Sequence, residues 1–171
     1  ADSRRKPYCD WWQGLTLADV NAFDTLACLD MPGVVCDADG HVSDLILDTK
    51  GLRGPLPSSF AQLENLQYLE LQNNRINGTL PPHLFDSHDT VKMTFYNNFM
   101  TGTIPCPAIL SPSIVSINVA RNSISGPIPS CLFTRLPAPH VPSPDRNPLH
   151  SPVPPEVQQS PNLSAFDLDH T

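Results

Sequence analysis

The sequence predicts a short α/β solenoid with a parallel sheet on its concave face, and three observations carry that expectation. Gly54, Gly78, Gly102 and Gly126 stand 24 residues apart, each opening the same kind of tetrad: GPLP, GTLP, GTIP, GPIP. Apolar residues recur nine, seven and two positions before each glycine: Leu45, Leu47 and Leu52; Leu69, Leu71 and Ile76; Met93, Phe95 and Met100; Ile117, Val119 and Ile124. An asparagine stands four positions before the last three glycines, at Asn74, Asn98 and Asn122, and only Lys50 breaks that column. A unit of this size cannot bury its apolar side alone and must stack on its neighbours, which is the physical meaning of a fixed period of about 20 to 29 residues.

The elements follow in order. Residues 1–41 are expected to cap the array. Leu17, Val20, Phe23 and Leu26 recur every three residues in a stretch free of proline and glycine and read as a short amphipathic helix. Trp11 and Trp12 precede it; buried cap packing is the favoured role for at least one of them, with ligand stacking as the alternative. Asp37-Ala38-Asp39-Gly40 lacks the later ligands of a calcium loop, so Asp39-Gly40 reads as a turn feeding a strand from Val42 to Leu47.

Residues 42–133 form four coils, with strands expected near 44–48, 68–72, 92–96 and 116–120. Period-two alternation sends the paired apolar residues inward and their neighbours outward. Asn74, Asn98 and Asn122 should form a buried ladder satisfying backbone groups, and the glycine-proline tetrads should turn the chain onto its outer side. Ser87, His88 and Asp89 replace the leucine region of the third coil, which predicts an irregularity at 86–90. Residues 134–171 are expected to be a disordered linker: nine of the twenty prolines fall between 137 and 171, and no apolar period survives there.

The stretch LENLQYLELQNNRINGTLP, residues 63–81, resembles the plant-type extracellular leucine-rich repeat, LxxLxxLxLxxNxLxGxIP. The resemblance covers residues 28–133; similar repeats with TLPP endings occur in surface antigens of some protozoa. CLDMPGVVC, from Cys28 to Cys36, is similar to the family's N-terminal cap C-x-x-W-x-G-V-x-C, with Met31 in place of the tryptophan. That resemblance implies a Cys28–Cys36 bridge. Cys9 is left to pair with Cys28 instead, to bridge to another chain or to stay free, because spacing does not fix connectivity.

Cys106 and Cys131 fall at nearly equivalent points of adjacent coils. Adjacent strands run about 4.8 Å apart, inside the roughly 4.4 to 6.8 Å Cα window of a disulfide, so a Cys106–Cys131 bridge is predicted. The cysteine spacing offers no C-x-x-C for zinc. Bridged cysteines, with sequons at Asn77 and Asn162, indicate an oxidising compartment, either secreted or on the extracellular face of the cell surface.

Charge and motifs narrow the function. A net charge of −7 argues against nucleic acid, whose phosphates need clustered Lys and Arg; the one such cluster, Arg4-Arg5-Lys6, reads as a solvated tail. No apolar run reaches the roughly 20 residues of a spanning helix. No serine or cysteine sits in a nucleophile context, His83 and His88 lack a carboxylate partner, and no glycine-rich phosphate loop exists. Neither catalysis nor a cofactor or metal is expected.

What remains is a surface. The outward residues Asp44, Asp48, Tyr68, Glu70, Gln72, Lys92, Thr94, Tyr96, Asn118 and Arg121 form the expected ligand face, with Tyr68 and Tyr96 beside Glu70, Lys92 and Arg121 as one recognition patch. The resemblance implies recognition of an extracellular protein, peptide or glycan, as in a receptor ectodomain or surface antigen. Two alternatives stay open: an inhibitor of a secreted hydrolase, and a structural wall or matrix linker. The oligomeric state is open as well.

Overall fold

The computed structural model describes residues 32–58, 60, 63–86, 89–106, 112–135, 146–149 and 155. The expected N-terminal helix, Trp11, Trp12, Cys9, Cys28 and Asn162 lie outside these. Within them the chain winds as a solenoid with two sheets. The larger contains β1 (Val34–Cys36), β2 (Val42–Ile46), β4 (Tyr68–Glu70), β6 (Lys92–Thr94) and β8 (Ser116–Asn118), in that order. The smaller contains β3 (Arg53–Pro55), β5 (Arg75–Gly78) and β7 (Phe99–Met100). All pairs are parallel except β1 with β2, a hairpin closing the N-terminal edge.

The hairpin forms where the sequence predicts a turn. Gly40 sits at φ 88°, and Asp37 accepts the Asp39 and His41 amides on Oδ1, both at 2.9 Å. The first strand starts at Val42, as expected from the turn that feeds it, and all four strands end two residues short of 48, 72, 96 and 120. The shortening has a local cause. Thr49, Asn73, Asn97 and Arg121 all take a left-handed φ between 53° and 57°, which swings the chain out of the sheet after each strand.

The twelve apolar positions of the 24-residue frame are buried, from Leu45 at 5% exposure to the many at 0%. They make one continuous core with Leu80, Leu84, Phe85, Ile104, Ile114 and Leu132. In the third coil Thr90 stands in the column of Leu66 and Ile114. Its buried hydroxyl donates to the Leu66 carbonyl at 2.9 Å, so a polar side chain enters the core without an orphaned group. Residues 87 and 88 of the expected irregularity lie outside the described residues.

The asparagine ladder is present and interlocked. Asn98 Oδ1 accepts the Ile76 amide of the preceding coil at 3.0 Å, and its Nδ2 donates to the Leu71 and Phe95 carbonyls, both at 3.0 Å. Asn74 also donates to Leu71, and Asn122 also donates to Phe95. Each of these carbonyls thus uses both lone pairs on consecutive rungs. Where Lys50 replaces asparagine, its backbone amide joins the ladder by donating to Asn74 Oδ1.

The ladder runs further than the sequence reading placed it. Asn147, inside the segment 134–171 expected to be a disordered tail, is buried; its Oδ1 accepts the Ile124 amide at 3.0 Å and its Nδ2 donates to the Val119 carbonyl at 2.9 Å. Arg146 takes the left-handed φ of the other coils, Leu149 packs on the core, and Gly126 pairs with Leu149 as a parallel bridge. Residues 146–149 therefore occupy the turn of a further coil, and the boundary at 134 does not end the solenoid. The sequence reading missed this because the spacing from Asn122 is 25 rather than 24 and prolines surround it.

Two cysteines close the last coils. Cys106 and Cys131 form a disulfide with a Cα–Cα distance of 6.2 Å, and Cys131 opens the short helix α1 (Cys131–Arg135). Cys36 is disulfide-bonded as well; Cys28, its expected partner, lies outside the described residues.

Candidate functional site: the concave face

Register arranges the outward residues of the larger sheet into rows. One row runs Asp44, Tyr68, Lys92, Ser116, and the next Ile46, Glu70, Thr94, Asn118. A third continues past the strand ends through Gln72 and Tyr96, held by the Thr49 amide on the Gln72 carbonyl and the Asn73 amide on the Tyr96 carbonyl. A fourth comprises the left-handed residues Thr49, Asn73, Asn97, Arg121 and Arg146.

The rows separate what sequence spacing had grouped. Tyr68 stands in the first row beside Lys92, whereas Tyr96 stands in the third, four residues further along its strand and so roughly 13 Å away in that direction. The expected single tyrosine patch is two aromatic positions flanking a polar centre. In that centre Lys92 reaches diagonally to Glu70, with Nζ 2.7 Å from Oε1. Tyr96 lies under the Arg121 guanidinium, whose Cζ is 5.2 Å from the ring centroid, within cation–π range.

The remaining expected residues are ordered by local bonds. Asp44 accepts the Ser43 hydroxyl, Asp48 accepts that of Thr49 at 3.2 Å, and Asn118 Oδ1 accepts the Ala120 amide at 3.0 Å. Asn97 donates to Asn73 across the coils at 3.0 Å. Gln72 Oε1 and Thr94 Oγ1 are covered and have no hydrogen-bond partner. Asp44 and Asp48 lie on the first coil, and Arg121 and Arg146 on the last two turns, so the face is acidic at one end and basic at the other. Arg146 was missed with Asn147, whose neighbour it is.

Residues 65–87 match the family described as Leucine Rich Repeat. The repeat at 65–87 is thus similar to leucine-rich repeats, and the described solenoid shares its fold with solved leucine-rich repeat ectodomains. Receptor-like protein 3 of Arabidopsis thaliana is 30% identical over 73 residues, a stretch that makes up 40% of this chain and 10% of that protein. The match thus spans about a tenth of the length of that curated relative. The Arabidopsis receptor kinase HAESA ectodomain, solved with an N-terminally extended peptide hormone ligand, is similar at a TM-score of 0.73 and 28% identity, covering 90% of this chain and 26% of that one. The ectodomain of the receptor kinase SOBIR1 from Arabidopsis thaliana shares the fold at a TM-score of 0.72 and 20% identity, covering 88% of each chain.

Among the described residues, a void of about 10 Å³ lies between the second and third coils, lined by Phe60, Leu69, Leu84 and Met93; it is too small for a ligand. Asp37, Asp39 and His41 bring their ligand atoms within 4.8 Å of one another in the hairpin turn. Asp37 is already engaged there. The Asn65 side-chain amide at 3.1 Å and the backbone amides of His41 and Asp39 lower its pKa to about 2. No helix among the described residues is long and apolar enough to cross a membrane.

Proposed function

We propose that this leucine-rich repeat array is a non-catalytic extracellular recognition module that binds a peptide, or an extended segment of a protein, along the rows of the concave face. The observation that carries the reading is the ordered surface itself: Tyr68 beside Lys92, the Glu70–Lys92 pair, and Tyr96 held under Arg121, all on backbone fixed by the sheet and the ladder. Aromatic groups immobilised before binding lose little entropy on contact, which is what an affinity-bearing residue needs. The polarity from Asp44 and Asp48 to Arg121 and Arg146 would orient an extended ligand in one direction across the coils. The similar HAESA ectodomain, solved in complex with a peptide hormone ligand, supports the peptide class.

The test is capture from extracellular extract by the oxidised protein, run beside Tyr68→Ala/Tyr96→Ala. Loss of two anchoring aromatics should weaken capture by at least about 30-fold, the equivalent of about 2 kcal/mol, with thermal unfolding unchanged. Full retention by the double variant would overturn the concave-face assignment.

A further inference from the structure

The smaller sheet carries an aromatic side chain that the repeat does not require. Phe99 is 61% exposed, the highest value among the exposed large hydrophobic residues described. Its column at 24-residue spacing holds Gly51, Arg75 and Ser123, so neither stacking nor the core asks for an aromatic there. Its register partner on β5 is Asn77. Register partners in a parallel pair project to the same side about 4.8 Å apart, and both Asn77 and Phe99 project to solvent while Ile76 and Met100 point into the core.

Asn77 opens the sequon Asn77-Gly78-Thr79, and Thr79 is exposed with it. We propose that Asn77 carries an N-linked glycan whose first N-acetylglucosamine packs on the ring of Phe99. The donor is a lipid-pyrophosphate-linked oligosaccharide. A bond forms between the sugar's anomeric carbon and Asn77 Nδ2, the bond from that carbon to the pyrophosphate oxygen breaks, the lipid pyrophosphate leaves, and one amide proton is released. The attached sugar then presents its C–H face to the electron-rich face of the phenyl ring, removing both from water. The glycan covers the smaller sheet and leaves the concave face to a partner.

Expression of the full chain by a eukaryotic secretory host tests this with four proteins: wild type, Thr79→Val, Phe99→Ser, and the double variant. Valine keeps the methyl that Thr79 holds against the next coil, where a Cβ on Gly102 would lie 2.8 Å from Thr79 Cγ2, and removes only the hydroxyl the sequon needs. Peptide mapping should find Asn77 glycosylated in wild type. Loss of the glycan through Thr79→Val should lower Tm by roughly 2–4 °C when Phe99 is present and by nothing when Phe99→Ser is already in place. Trimming wild type to a single N-acetylglucosamine should preserve its Tm, with cross-relaxation between that sugar and the Phe99 ring. An unmodified Asn77, an equal Tm loss in both backgrounds, or loss of partner capture in Phe99→Ser with the glycan intact would each overturn the proposal.

Discussion

Replacing Asn147 by alanine tests whether the proline-rich segment belongs to the solenoid. The substitution removes the acceptor of the Ile124 amide and one of the donors to the Val119 carbonyl. That carbonyl keeps Asn122 Nδ2 at 2.9 Å, so it loses a bond without being orphaned. The Ile124 amide loses its Asn147 acceptor in a residue with 0% exposure. An orphaned buried donor costs about 1–3 kcal/mol, and a lost second bond on a carbonyl about 0.5–1.5 kcal/mol. Because this rung is the last described, water can reach Ile124 once residues 146–149 lift away, which places the sum at about 2 kcal/mol. The expected readings are a lower urea midpoint, a Tm reduced by roughly 4–8 °C, and faster hydrogen exchange at the Ile124 amide. Deleting residues 137–171 should cost at least as much, since Leu149 also leaves the core. If the midpoint and the Ile124 exchange rate are both unchanged, the segment is not docked and the reasoning fails.

Other perturbations follow from the same geometry. Asn98→Ala, at an interior rung sealed on both sides, should cost about 2–5 kcal/mol by urea denaturation, more than Asn147→Ala. Gly33→Ala should cost about 3 kcal/mol or more, because Gly33 sits at φ 94° and an added Cβ would lie 2.2 Å from the Ile46 carbonyl oxygen; far-UV and exchange data should show β1 detaching from β2. Asp37 ionises at about 2 in the fold against 3.8 unfolded, so its contribution is present above about pH 4 and is lost as pH falls toward 2. Asn65→Ala removes the first cause of that shift and should raise the Asp37 titration midpoint, read by carboxyl NMR.

The fold was legible where chemistry repeats. Leu47, Leu71, Phe95 and Val119 announce themselves because four coils place them identically, and Asn74, Asn98 and Asn122 because a polar residue returns inside an apolar frame. The smaller sheet was not legible. Its strands Arg53–Pro55, Arg75–Gly78 and Phe99–Met100 are joined by backbone groups of the glycine-proline region and carry no alternating side-chain signal. Strand β1 is three residues long, too short for a period. For the candidate site, the membership of the face was readable but its layout was not read correctly. Tyr68 aligns with Lys92, and Tyr96 with Gln72, once numbers are compared modulo 24; grouping the tyrosines by coil alone ignored their offset along the strand.

The shared carbonyls of the ladder bear on how such an array can change length. Asn98 and Asn122 each accept an amide from the coil behind and donate to one carbonyl of that coil and to carbonyls of their own, so each coil hands its successor the same unfinished valences that it received. A whole coil inserted or deleted between Asn74 and Asn122 leaves those valences matched at both joints. The molecule is therefore modular in the sense of a zip fastener: it tolerates a change in the number of teeth far better than a change in the pitch of any one of them, and its present length is a choice that the joints themselves do not impose.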